Sequence, residues 1–198
     1  MLTKLRNHVK RIFESIALAI SKTGIGPNTI TLFSLVFSFL AFLSIYLHNS
    51  KLLFFVFLML LGLMDVLDGS LARVTGKVTA FGGFLDSTID RVSDALILYS
   101  LKYFGFRDEL VVMLIVVSLM ISYTRARAEA LGVKMEGIGI IERAERILFV
   151  AGIAVLSLFS YFLSILVFLV FLVLSIVTLL HRIIYVYMVL CGSGSKNS

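Results

Sequence analysis

The stretch LLFFVFLMLLGLM, Leu52 to Met64, is apolar on every side, and MDVLDGSLARVTGKVTAFGGFLDSTIDRVSD, which overlaps it at Met64 and ends at Asp94, carries five aspartates in thirty-one residues. A run that is apolar all round reads as a helix in lipid, because a barrel strand would alternate apolar and polar residues over about ten positions. The run FLSILVFLVFLVLSIV, Phe162 to Val177, reads the same way. A charged side chain at the centre of a bilayer helix is disfavoured by at least about 2.5 kcal/mol. Five carboxylates beside such a run therefore need a compensating partner.

Outward from this stretch the chain is consistent with a lipid environment. Of its 198 residues 60% are apolar and 15% charged, and the mean hydropathy is +1.05, which excludes an ordinary soluble domain. The expected architecture is an all-α integral membrane protein: six transmembrane helices preceded by an N-terminal amphipathic interfacial helix. Spans long enough to cross, roughly 17 to 25 residues or more, fall at about Ile30 to Leu47, Leu52 to Leu71, Phe84 to Phe104, Leu110 to Leu131, Ile138 to Phe159 and Leu163 to Leu190. The domain organisation expected is an amphipathic helix at 1–22, a six-helix domain at 23–190 and a flexible tail at 191–198 ending in GSGSKNS. The single cysteine, Cys191, excludes an internal disulfide and reads as a small apolar filler near the end of the last helix.

In residues 2–22, Leu2, Leu5, Val9, Ile12, Phe13, Ile16 and Ile20 recur at three- and four-residue spacing with basic residues between them. Such a helix lies with its apolar face in the acyl boundary and its cations among the headgroups. The stretch TGIGPNTIT, Thr23 to Thr31, then breaks and restarts the chain, with Pro27 suited to a first helical turn. Fifteen Lys and Arg fall on one side of the six expected spans and three (Lys51, Lys102 and Arg107) on the other. This bias places both termini and the aspartate-rich connection in the cytoplasm, in a multi-pass protein of the cell membrane.

Asp65 and Asp68, three apart, share one helix face, and Asp86, Asp90 and Asp94 recur every four residues along another. Like charges so close stay ionised only with cations between them. Hard oxygen ligands without a Cys or His cluster select Mg²⁺, Mn²⁺ or Ca²⁺. Two divalent ions held by four aspartates suit phosphoryl transfer from a diphosphate. Gly69, Ala72, Gly82 and Gly83 are small enough to let such a ligand approach the helix backbone, and Arg73 is placed to pair with a phosphate or with the carboxylates. An ion path through a cation transporter is the competing reading of intramembrane carboxylates, but the outer halves of these spans are nearly bare of polar groups.

Asp65, Asp68, Gly69, Ala72, Arg73, Gly82, Asp86 and Asp90 together spell DxxDGxxAR, eight further residues and GxxxDxxxD, a pattern that resembles the signature of the CDP-alcohol phosphotransferase family. The resemblance implies attack by an acceptor hydroxyl on the β-phosphate of a CDP-linked lipid, with CMP leaving. It implies that Asp65, Asp68, Asp86 and Asp90 bind two divalent cations, Mg²⁺ first and Mn²⁺ as the alternative, and that Asp90 also accepts the proton. It places Asn28, Thr29, Ile30, Thr31, Gly69, Arg73 and Thr79 around the CDP-lipid, and it implies a homodimer. Asp94, one turn beyond the pattern, is left outside the metal set.

A second basic cluster, in SYTRARAEALGVKMEGIGIIERAERILF (Ser122 to Phe149), bears on the acceptor. Arg offers the two-pronged geometry a phosphate monoester rewards; the same cations also serve the inside-positive rule, with Glu129, Glu142 and Glu145 near enough to pair with several. The segments RARAEALG and IERAER resemble the branch of the family that makes inositol phosphate lipids. That resemblance implies that Arg125, Arg143, Arg146 and Arg182 bind the phosphate of inositol phosphate, a phosphorylated polyol. Glycerol-3-phosphate would welcome the same arginines. The expected partners are thus a CDP-linked lipid, the acceptor and membrane lipids, and no nucleic acid.

Overall fold

The computed structural model describes residues 2–192, with side chains from 12 to 191. The side chains of Leu2, Leu5 and Val9, and the tail from 193 onward, lie outside what is described. Among the described residues the regular structure is helical throughout: α1 (Leu2–Ser21), α2 (Pro27–His48), α3 (Lys51–Val74), α4 (Ala80–Ser100), α5 (Asp108–Ala130), α6 (Arg143–Phe159) and α7 (Tyr161–Gly192), with a short 3₁₀ turn at Leu101–Phe104. The chain forms two compact units, one from the N-terminus to Leu96 and one from Ile97 onward.

In the first unit, α1 and α2 both pack on α3. Pro27 opens α2, where its missing N–H and fixed φ suit a first turn. Asn49, in the left-handed region at φ +48°, ends α2, and the Ser50 hydroxyl starts α3 by accepting from the Leu53 amide at 3.3 Å. This two-residue link makes α2 and α3 a hairpin. The buried positions of α2 are mostly small: Thr31, Ser34, Ser38, Ala41 and Ser44. The three serine hydroxyls need no outside partner, since Ser34, Ser38 and Ser44 each donate at 2.7 Å to a carbonyl three residues back. Large apolar residues of the same helix, among them Leu32, Phe33, Val36 and Phe39, are exposed. Small residues inside and large apolar ones outside is the distribution of a helix that packs in lipid. Ala17, Ile30, Leu67 and Leu71 form a buried cluster, with Phe13, Ile20 and Met64 against it.

In the second unit, α5 and α6 both pack on α7. Phe149 of α6 stacks on Phe171 of α7 at 5.0 Å, and the Tyr161 hydroxyl donates to Gly105 O at 2.6 Å. Gly132, at φ +80°, ends α5 in a Schellman turn: its amide donates to Glu129 O and the Val133 amide to Ala128 O. The connection that follows buries Val133 and Met135 with Ala128, against Tyr185 and Val186 of α7.

Among the described residues four helices, α2, α3, α5 and α7, are long and apolar enough to cross a membrane. The chain is a membrane protein. α4 is interrupted by Asp86, Asp90, Arg91 and Asp94, and α6 has only 17 residues. The expected span from Ile138 is corrected at its start, because the helix begins at Arg143. Gly137 and Gly139 take φ of +72° and +117°, and the Ile140 and Ile141 amides donate to Thr178 of α7 instead of joining a helix ladder. The span expected at Phe84 to Phe104 begins earlier, at Ala80, and its last four residues are the 3₁₀ turn. Cys191 is exposed.

Candidate active site

The end of α3 and the start of α4 build the acidic site. Gly76, at φ +66°, closes α3 with the same Schellman turn: its amide donates to Arg73 O and the Lys77 amide to Ala72 O. Thr79 opens α4, its Oγ1 accepting from the Gly82 amide at 3.0 Å. The chain thus turns back within five residues. One carboxylate oxygen each of Asp65, Asp68 and Asp86 lies within 4.8 Å of the other two. Asp68 is buried, and Thr31 of α2 donates its hydroxyl to Asp68 Oδ2 at 2.8 Å. That bond holds the carboxylate in one orientation.

Three carboxylates in this space repel one another unless a cation neutralises them. The donors are all hard oxygens, and among the described residues no Cys or His joins the group. Such a set fits Mg²⁺, Mn²⁺ or Ca²⁺. Asp90 lies one turn beyond Asp86, mostly buried, with Arg91 Nη1 3.9 Å from its Oδ2; it stands outside the close group of three. Asp94, a further turn on, is buried.

A cleft of about 370 Å³ opens beside the carboxylates. Asn28 and Thr31 of α2, Asp68, Gly69 and Arg73 of α3, Thr79 before α4, and Gly82, Gly83 and Asp86 of α4 line it. Five of the seven residues expected around the CDP-lipid are therefore in its wall. Thr29 is exposed and outside it, and the Ile30 side chain is buried in the apolar cluster beneath. Lys77 and Val78, which are not among the residues the family pattern points to, also line the cleft. A cation four residues beyond Arg73, directly after a helix-ending glycine, is the signal that would have found Lys77.

The glycines do different work. A Cβ on Gly69 would stand 3.3 Å from Arg73 Nη1, and one on Gly82 would stand 3.0 Å from Thr79 Oγ1 and 3.3 Å from Asn28 Oδ1. These two make room for polar side chains of the same wall. Gly83 has nothing within 4 Å of where its Cβ would be, so it leaves open space in the cleft.

In the second unit, the expected acceptor arginines gather around the start of α6. Arg125 Nε pairs with Glu129 at 3.0 Å, and Glu142 Oε1 lies 3.9 Å from Arg125 Nη1 and 3.7 Å from Arg182 Nη2. Arg146 is buried and Arg143 half-buried. Arg182, only 2% exposed, donates Nε to Ile138 O at 2.8 Å and Nη1 to Ile121 O at 2.7 Å. Two of its three nitrogens are thus engaged with backbone.

Residues 25–191 match the family model described as CDP-alcohol phosphatidyltransferase. The chain is 44% identical over 151 residues to the archaetidylinositol phosphate synthase of Pyrococcus horikoshii, covering 76% of this chain and 80% of that one. Its fold matches the crystal structure of Mycobacterium tuberculosis phosphatidylinositol phosphate synthase with CDP-DAG bound, with a TM-score of 0.78 at 32% identity over 89% of this chain and 94% of that one. The same enzyme in complex with manganese and citrate matches with a TM-score of 0.77 at 31% identity, covering 88% of each chain. With the aspartate pattern, the cleft and these likenesses in agreement, the chain belongs to the CDP-alcohol phosphatidyltransferase family and is a phospholipid-forming transferase.

Proposed function

We propose that this enzyme transfers the phospholipid moiety of a CDP-linked lipid to a hydroxyl of inositol phosphate, releasing CMP. The observation that carries the reading is the close group of Asp65, Asp68 and Asp86 beside a cleft that also presents Arg73 and Lys77. A diphosphate needs cations to offset its charge, and this wall supplies side-chain cations together with carboxylates suited to metal ions. Asp65, Asp68, Asp86 and Asp90 hold two divalent cations, Mg²⁺ or Mn²⁺. When bound, these ions neutralise charge on the transferring phosphate and favour the in-line displacement.

The chain's own residues do the rest. Thr31 orients Asp68, while Asn28, Thr79, Gly69 and Arg73 shape the CDP site, with Thr29 and Ile30 in the same helix start. Asp90 takes the proton of the acceptor hydroxyl as its oxygen bonds to the β-phosphorus; the bond from that phosphorus to the bridging oxygen breaks, and CMP leaves with it. Arg125, Arg143 and Arg146 hold the acceptor phosphate, and Arg182 contributes through Nη2. The names of the relatives favour inositol phosphate over glycerol-3-phosphate. Residues 23–190 act as one catalytic domain with six spans, counting α4 and α6. α1 lies in the interface, both termini and the active site face the cytoplasm, and the enzyme works as a homodimer.

Purified protein in detergent, given Mg²⁺, a CDP-linked lipid and one acceptor at a time, tests this reading. CMP release with inositol phosphate, and little with glycerol-3-phosphate, inositol or serine, is the expected result. Release with glycerol-3-phosphate or serine in place of inositol phosphate would overturn the acceptor assignment.

A further inference from the structure

The connection between α5 and α6 is held to α7 by two side chains: Arg182, already placed at the acceptor phosphate, and Thr178, which has been given no part in the transfer. Thr178 is fully buried. Its hydroxyl donates to Leu174 O at 2.8 Å and accepts from the amides of Ile140 at 3.2 Å and Ile141 at 3.1 Å. A hydroxyl has one proton and two lone pairs, so every hydrogen-bonding position it has is filled. Four residues along the same helix, Arg182 takes Ile138 O. Gly139 is enclosed by the two: its φ is +117°, and a Cβ there would stand 2.7 Å from Thr178 Cγ2 and 3.2 Å from Arg182 Nε.

Three backbone groups in four residues, Ile138 O, Ile140 N and Ile141 N, are therefore tied to α7. The chain runs straight from them into α6. The Glu142 amide donates to the Glu145 carboxylate at 3.0 Å, Arg143 is the first helical residue, and Arg146 follows within the first turn. The rest of α6 has separate anchors on α7, the stack of Phe149 on Phe171 among them. Loss of the ties at Thr178 would free the first turn of α6 while leaving the body of the helix docked.

We propose that Thr178, with Gly139 seated against it, is a positioning residue for the acceptor: it sets where α6 begins and so where Arg143 and Arg146 meet a phosphorylated polyol. The inference rests on the reading of these arginines as the acceptor-phosphate site. Valine has nearly the shape of threonine but no hydroxyl, and serine keeps the hydroxyl without the methyl group that crowds Gly139.

Initial rates of CMP release are measured while inositol phosphate and the CDP-linked lipid are varied separately. Thr178→Val is expected to raise KM for inositol phosphate about tenfold, since small misplacements of binding groups carry large kinetic effects. KM for the CDP-linked lipid should stay within about twofold, and Thr178→Ser should restore the acceptor KM to within about threefold. Thr178→Ala, which adds no bulk, provides a second variant if the valine protein does not fold. An unchanged acceptor KM in either variant, equal changes in both KM values, or a serine variant as impaired as valine would overturn the positioning role. Wild-type protein assayed beside them with inositol and inositol phosphate separates the two layers. Indifference to the phosphate would remove the acceptor reading itself, whereas a strong preference with an unchanged KM in Thr178→Val would remove only the positioning role.

Discussion

The two charged regions of this enzyme are built in opposite ways. The acidic site comes from residues three and four apart on the facing ends of two consecutive helices, closed by a turn of five residues. Its geometry is almost wholly local. The arginine region is assembled from α5, the start of α6 and the middle of α7, with backbone carbonyls at 121 and 138 held by a guanidinium at 182. Local spacing makes an arrangement robust and recognisable, whereas one assembled over long separations can be retuned by residues far from the ligand.

Breaking the acidic site should have the largest effect. Asp90→Asn is expected to lower kcat by about 10²- to 10⁴-fold, the usual contribution of a general base, with binding of the CDP-linked lipid retained in equilibrium measurements. Unchanged turnover would remove Asp90 from the base role. In the arginine region, Arg146→Gln should raise KM for inositol phosphate about tenfold to a hundredfold, the worth of a hydrogen bond to a charged group; an effect on protein yield alone would show that Arg146 only supports the fold. Each site's supporting bonds sharpen the contrast further. Thr31→Val removes the donor to Asp68 and should raise the Mg²⁺ concentration needed for half-maximal rate about tenfold, as loss of a partner to a metal-binding carboxylate does. Gly82→Ala has the smallest expected effect, because the intruding methyl meets the tips of the Thr79 and Asn28 side chains. A weakened helix cap there is worth about 1 kcal/mol, to be read as a small drop in thermal stability with a modest rise in KM for the CDP-linked lipid.

What the sequence revealed follows the same line. Helical spacing brought out the aspartates, because residues at intervals of three and four share a face wherever the helix goes. Apolar runs brought out α2, α3, α5 and α7 within a few residues of their ends. The bond from Thr31 to Asp68 joins residues 37 apart and the bonds to Thr178 span 37 and 38; no periodicity encodes them. For that reason the start of α6 was expected at Ile138, among residues whose apolar character suits a helix but whose amides are taken by another element. Two glycines of the cleft wall also make room for Arg73, Thr79 and Asn28, a role that only side-chain packing reveals. The family resemblance implies Thr29 and Ile30 beside Asn28 and Thr31 at the CDP-lipid, yet a helix turns about a hundred degrees per residue, and these two side chains are not in the cleft wall.

The claim on which the rest depends is that the carboxylates of α3 and α4 are a two-metal site serving a diphosphate. It is tested most directly by titrating purified protein in detergent with Mn²⁺ and counting bound ions by electron paramagnetic resonance, with and without the CDP-linked lipid. Two ions per chain are expected, held more tightly with the lipid present, and Asp68→Asn and Asp86→Asn should each abolish that binding. Absence of saturable binding in the wild-type protein, or binding that survives both substitutions unchanged, would contradict it.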